Sequence, residues 1–157
     1  IRLYRQPAIV ESFVVGREIS VGIIGNGQNL HVLPTLEFLF AEARTPYEQI
    51  RSYEYKWGGK KEQMAEAVLS SETSALLAKY VRRIFIATEC RDYARMDFRI
   101  ASDGKIYLLE VNYNPGVGPN THGLNNTLTK MASFEECSFE DLIERIILTA
   151  AQREYLV

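Results

Sequence analysis

Four residues near the middle of the chain have the types and spacing to do chemistry: Arg95, Asp97, Glu110 and Asn112. They lie in the run YARMDFRIASDGKIYLLEVNYNPG, where residues 94–101 and 105–113 are rich in β-forming side chains and flank Ser102, Asp103 and Gly104. That pattern predicts a β-hairpin. Side chains alternate along a strand, so Arg95 and Asp97 share one face, and Glu110 and Asn112 share a face on the returning strand. With the turn near residue 103, antiparallel pairing brings Asp97 level with Glu110, or one place off, and Arg95 near Asn112. Two carboxylates held together without compensation repel, and one of them tends to take up a proton. A hard divalent cation removes that conflict, because Mg²⁺ takes oxygen ligands and is usually held by one or two carboxylates together with substrate phosphates. Asp97, Glu110 and the Asn112 carboxamide suit that role, with Arg95 placed to hold a phosphate or an oxyanion. The same alternation also fits the polar outer face of an ordinary half-exposed hairpin.

The elements that must position these residues follow from the rest of the chain. At 157 residues and 46% hydrophobic content the length and composition suit one domain with a core. Eighteen basic against twenty acidic residues give a net charge of −2, so nothing marks a nucleic-acid footprint. No apolar run approaches the ~20 residues that span a bilayer, and no signal core or cleavage site follows the first residues. A soluble, cytoplasmic protein with no membrane or nucleic-acid partner is the expectation. Cys90 and Cys137 form no CxxC pattern and read as reduced structural thiols, and His31 and His122 are isolated. The sequence starts without Met, as if cut from something longer.

Residues 8–11 read as a short strand and residues 18–24 as a second one. Gly25, Asn26 and Gly27 mark a hairpin turn, and residues 30–33 return to a stop at Pro34. Glu11 and Glu18 flank an apolar run that can offer a purine backbone hydrogen bonds at Phe13 and Val14 and a carboxylate to ribose hydroxyls, although strand-end glutamates are usually just solvated. Residues 46–61, aromatic and charged with a Gly58–Gly59 pair, read as a loop able to close over a nucleotide with Lys56 as its phosphate-directed charge, or as a plain surface loop with a cation–π contact. Residues 62–69 are a helix candidate. Ser71 onward opens a longer helix with Leu76, Leu77, Tyr80, Val81, Ile84 and Phe85 at helical spacing. Residues 117–126 are Gly- and Asn-rich and irregular, 127–134 suggest a short helix, and Ser138 with Asp141 caps a last helix whose buried face is Leu142, Ile143, Ile146, Ile147 and Ala150. This order favours an α+β fold, an antiparallel sheet packed with helices.

The stretches IVESFVVGREISVGIIG, SYEYKW, YARMDFRIASDGKIYLLEVNYNPG and SFEDLIERIILTAA together resemble the C-terminal half of an ATP-grasp ligase, most closely the D-alanine–D-alanine ligase family. The resemblance extends over nearly the whole chain. It implies an ATP-grasp C-terminal domain in residues 1–157, with ATP and Mg²⁺ (or Mn²⁺) as cofactors, a carboxylate phosphorylated to an acylphosphate, and attack on it by an amine. By the family's motifs, Glu11, Ser12, Phe13 and Val14 would meet adenine and Glu18 the ribose. Lys56 would meet the ATP phosphates, and Asp97, Glu110 and Asn112 the metal. Arg95 would stabilise the transferring phosphoryl group, and Gly116 would lend a backbone amide to the acceptor pocket beside Pro115. Amino acids or short peptides would be the substrates. The family's N-terminal half, with the substrate domain and the first part of the ATP-grasp fold, would be the missing partner, so this part alone would turn over poorly. The segment VGPNTHGLNN departs from the family's pattern and leaves the acceptor open. Another amino-acid or peptide ligase, or a non-catalytic nucleotide-binding module, are the alternatives.

Overall fold

The computed structural model describes residues 5–41, 43–56, 63–120 and 126–156. Six strands form one antiparallel sheet: β1 (Gly16–Ile24), β2 (His31–Val32), β3 (Leu36–Leu39), β4 (Gln63–Glu66), β5 (Tyr93–Ala101) and β6 (Ile106–Asn112). The order across the sheet is β4-β3-β1-β5-β6, with β2 also on β1. A 3₁₀ turn (Pro46–Glu48) and a one-turn helix α1 (Tyr53–Lys56) lie between β3 and β4. The longer helices are α2 (Ser71–Ala87), α3 (Thr127–Ser133) and α4 (Phe139–Arg153).

β1 organises the sheet because its run Ile19, Val21 and Ile23 alternates with Glu18, Ser20 and Gly22. The first set, fully buried, joins Ala94, Met96, Phe98 and Ile100 of β5 under Leu77, Val81 and Phe85 of α2. Ser70 starts α2 by accepting a hydrogen bond from the Thr73 amide at 3.1 Å, which satisfies one of the donors a helix start leaves open. On the opposite face, Leu128, Met131 and Ala132 of α3 and Leu142 of α4 close a second core over Ile24, Leu33, Leu36 and Phe38. Gly22 makes that approach possible: a Cβ there would stand 2.6 Å from Leu128 Cδ1 and 2.8 Å from Leu33 Cδ1. Ser138 and Asp141 form the expected capping box on α4.

Several expectations are corrected. Residues 8–11 join no strand; the stretch 7–15 is irregular, and Ile9 and Val10 are exposed, because no strand among the described residues pairs with it. The helix candidate at 62–69 is instead β4, paired with β3 through Leu36↔Glu66 and Phe38↔Met64. Its composition is that of a helix former, and the non-local pairing overrides so short a propensity signal. β2 and β3 are two pieces of one returning edge, pairing Ile23↔Val32 and Ser20↔Leu36, so the return continues past the proline that was expected to end it. On α4 only Leu142 is buried, and Ile147 is 60% exposed.

The far end of α4 is tied to the sheet by a polar staple. Asp92, immediately before β5, accepts both forks of Arg153 at 2.9 Å and the Asn26 amide at 2.8 Å, while its backbone N–H donates to Asn26 Oδ1 at 3.0 Å. The hydrogen bond from Arg153 holds the Asp92 carboxyl below its ordinary range. A depressed folded value means that this stabilisation is complete above the unfolded carboxyl's pKa of about 3.9 and is lost as pH falls through the folded value. Asp92→Asn keeps a residue that tolerates the positive φ of 65° at this position. It is expected to cost about 1.5 kcal/mol at pH 7. The gap to wild type should close near pH 2, and urea melts at the two pH values check it; a gap that stays constant would contradict the assignment.

Candidate functional site

The β5–β6 hairpin has the expected register. Arg95 pairs with Asn112 and Asp97 with Glu110, after a turn in which Gly104, at φ +81°, donates its N–H to the Ala101 carbonyl at 2.9 Å. Past that point the ladder shifts: Phe98 pairs with Leu108, so Leu109 is an extra, bulged residue. Without the bulge, Glu110 opposite Asp97 would place Leu109, not Leu108, opposite Phe98. The bulge therefore lets polar Glu110 and Asn112 meet the polar face while Leu108 and Ile106 still pair with the apolar residues Phe98 and Ile100.

On that polar face Arg95 and Asp97 form a bidentate ion pair, Nε to Oδ1 at 3.0 Å and Nη2 to Oδ2 at 2.9 Å, with side chains 12% and 15% exposed. Ser20 of β1 donates to Asp97 Oδ1 at 2.6 Å, and Arg95 Nη1 donates to Thr127 Oγ1 of α3 at 3.2 Å. The pair is thus fixed from the neighbouring strand and from the helix above it. Glu110 is exposed and makes no hydrogen bond or ion pair among the described residues. Asn112 Oδ1 accepts the Asn114 backbone N–H at 3.1 Å, which holds the carboxamide at the strand end.

The donor set has the chemistry of a hard-cation site. Asp97 Oδ2 carries one hydrogen bond and keeps a lone pair, Glu110 keeps its full capacity, and Asn112 keeps one lone pair on its oxygen. No cluster of three His, Cys, Asp or Glu occurs among the described residues, and the set of two carboxylates and a carboxamide matches Mg²⁺ rather than a nitrogen- and sulfur-seeking metal.

Two residues further along the same face of β5, Arg99 is 2% exposed and pairs with Glu18, itself 7% exposed, at 2.8 Å. Burial raises the Glu18 carboxyl above its ordinary range, and the Arg99 charge offsets part of that rise. Arg99 also donates to the carbonyls of Val14 at 3.1 Å, Gly16 at 3.2 Å and Gln49, and its guanidinium lies 4.5 Å from the Phe13 ring centroid. Glu18 is therefore not the solvated strand-end acid that is its bland expectation. Glu11 and Ser12 are exposed, while Phe13 and Val14 are half-buried against Arg99. Pro115 is buried and Gly116 is exposed beside Asn126. Lys56 ends α1, and its side chain lies outside the described residues, as do Gly58, Gly59 and His122.

Sequence reasoning brings together Arg95, Asp97, Glu110 and Asn112, and misses Ser20, Arg99 and Thr127. Ser20 is a lone hydroxyl inside a buried apolar strand, and Arg99 continues the alternation Arg95, Asp97; both signals were in the sequence. Thr127 comes from a helix distant in the chain and carries none.

An antiparallel sheet with helices on both faces and a polar strip along its central strands is the architecture shared with D-alanine–D-alanine ligase structures, the C-terminal half of an ATP-grasp fold. A family model described as the D-ala D-ala ligase C-terminus matches residues 2–148, and the chain belongs to that family. An uncharacterised protein of Sinorhizobium fredii is 34% identical over 154 residues, spanning 97% of this chain and 43% of its own length. A D-alanine–D-alanine ligase of Wigglesworthia glossinidia brevipalpis is 32% identical over 147 residues, spanning 93% of this chain and 39% of its own. The chain thus spans about two-fifths of the length of these relatives. Among solved structures, D-alanine–D-alanine ligase from Bacillus anthracis complexed with ATP superposes with a TM-score of 0.68 at 22% identity, covering 90% of this chain and 40% of that one. No described helix is long and apolar enough to cross a membrane.

Proposed function

We propose that this chain is the ATP- and Mg²⁺-binding catalytic part of a cytoplasmic carboxylate–amine ligase that forms a peptide bond between small amino acids or short peptides, as a D-alanine–D-alanine ligase does. The observation that carries the reading is the pairing Asp97↔Glu110 and Arg95↔Asn112, which assembles two carboxylates, a carboxamide and a guanidinium on one buried-edged strip. Family membership and the ATP named with the Bacillus anthracis structure support the choice of nucleotide.

In this reaction one substrate's carboxylate oxygen takes the γ-phosphoryl group of ATP and ADP leaves. The second substrate's amine nitrogen then attacks the carbonyl carbon, the phosphate departs, and the amine gives up a proton. Asp97, Glu110 and Asn112 would hold Mg²⁺ or Mn²⁺, which when bound neutralises phosphate charge. Arg95, kept in place by Asp97 and Thr127, presents a planar guanidinium to the transferring phosphoryl oxygens. Gly116, with no side chain in the way, presents its backbone amide to the acceptor. Lys56 is proposed for the phosphates, and Phe13, Val14 and Glu18 for the nucleoside. The opposite wall of the cleft is proposed to come from the part of the ligase that this chain does not match.

A second reading, a ligase of the same type with another amino-acid or peptide acceptor, rests on the segment after Gly116. There Asn120 accepts the Asn126 amide at 2.7 Å and Gly118 accepts the Thr129 hydroxyl at 2.7 Å, contacts made by residues of this chain's own pattern.

Calorimetric titration of ATP tests the main reading. Binding by the wild-type chain is expected to need Mg²⁺. The Glu110→Gln, Asn112→Ala double variant is expected to bind at least about tenfold more weakly, since even outer-shell changes at metal sites cost that much. Equal affinity of the two proteins would remove the hairpin from the nucleotide site.

A further inference from the structure

We propose that Arg99 is a positioning residue that builds the nucleoside end of the cleft and locks it in register with the metal-binding strand; this rests on the nucleotide reading above. Its guanidinium is buried and gathers four acceptors from separate parts of the chain: the carbonyls of Val14 and Gly16, the Glu18 carboxylate, and the carbonyl of Gln49. The Phe13 ring stacks against it. A planar fork with five N–H donors can serve such a set at once, and a lysine ammonium on a single stem cannot.

Three of the residues that Arg99 gathers, Phe13, Val14 and Glu18, are those proposed to face adenine and ribose. The stretch 7–15 joins no strand ladder, so its placement over the sheet depends on side-chain ties, and Arg99 supplies one to the Val14 carbonyl near its end and another to Gly16, where β1 begins. The 3₁₀-turn segment before α1 is held through Gln49, and the backbone N–H of Arg51 reaches Glu18 at 3.4 Å. Since Asp97 and Arg99 are two residues apart on one face of β5, the strand that carries a metal ligand also sets where the nucleoside wall stands. Removing the fork should therefore loosen the wall without disturbing the phosphate end.

The test compares ATP with inorganic tripolyphosphate, which lacks the nucleoside, in excess Mg²⁺ by calorimetry on wild type and Arg99→Lys, with amide hydrogen exchange on both. Arg99→Lys is expected to weaken ATP tenfold or more and to leave tripolyphosphate within twofold. Exchange should quicken more in residues 12–17 and 48–52 than in 94–98 and 106–112. Arg99→Gln, which also lacks the fork, is expected to give the same pattern if the lysine variant folds poorly. Unchanged ATP affinity, parallel loss of both ligands, or exchange that rises uniformly would overturn the proposal alone. A wild-type chain that binds tripolyphosphate no more weakly than ATP, or binds neither, would overturn the nucleotide reading and the proposal with it.

Discussion

Arg99→Met is expected to destabilise the fold by about 3 kcal/mol, the range seen when one partner of a buried ion pair is removed. The variant leaves Glu18 buried without its counter-charge and strips three backbone carbonyls of their donor. Glu18→Gln is expected to cost less than Arg99→Met, because the Arg99 guanidinium keeps its three carbonyl acceptors and a glutamine oxygen at position 18 can still accept from it. Burial raises the Glu18 carboxyl above its ordinary range, and the Arg99 charge offsets part of that rise. The sign with pH follows from the same balance. A raised folded pKa favours the folded state below it, and the favourable contribution is lost as pH rises through it. Without Arg99 the Glu18 carboxyl rises further, so the Arg99→Met deficit should be largest at pH 8 and shrink at pH 5. Urea unfolding of both variants at the two pH values measures this. A Glu18→Gln cost equal to that of Arg99→Met would contradict it.

The second large effect is expected at Asp97. Asp97→Asn removes a charged group proposed as a metal ligand, and metal-dependent ATP binding should fall by about a hundredfold or more, at or beyond the upper end of what outer-shell changes do. The same change leaves the Arg95 guanidinium, only 12% exposed, without its bidentate partner, so stability should also drop by about 2 kcal/mol. Glu110→Gln separates the two consequences. Glu110 is exposed and has no partner among the described residues, so its variant should lose metal binding while melting like wild type. Thermal melts beside Mg²⁺-ATP titrations of the two variants decide the point. If Glu110→Gln melted as low as Asp97→Asn, or Asp97→Asn bound as wild type does, the division of roles would be wrong.

The hairpin was legible because every local signal agreed there: alternation, a Gly-containing turn and two matched β-rich runs. Alternation put Arg95 with Asp97 and Glu110 with Asn112 and left the register between the two pairs open by one place, which the fold resolves as Asp97↔Glu110. The bulge at Leu109 was not legible, because it depends on which face of β6 must stay apolar against β5. β4 escaped for a different reason. Gln63–Glu66 has the residues of a helix and becomes a strand only by pairing with β3, a non-local partner, in the ladder Leu39↔Gln63 to Leu36↔Glu66. The proposed nucleoside wall was half legible: Phe13, Val14 and Glu18 were named, but the residue that collects them was not. A sequence pattern shows that Arg99 shares a face with Asp97, and only the fold shows that Val14, Gly16, Glu18 and Gln49 converge on it. Ile147 was assigned to the buried face of α4 by helical spacing, and it is exposed because it lies off the side of the helix on which Leu142 and Ile146 meet the core.

The central claim is that the β5–β6 hairpin binds the metal of an ATP site, and its location can be measured directly. Crystals grown with ATP and Mn²⁺ should show an anomalous peak within bonding distance of the Asp97 and Glu110 carboxylates and the Asn112 carboxamide. A peak elsewhere, or bound ATP with no metal at the hairpin, would contradict the account.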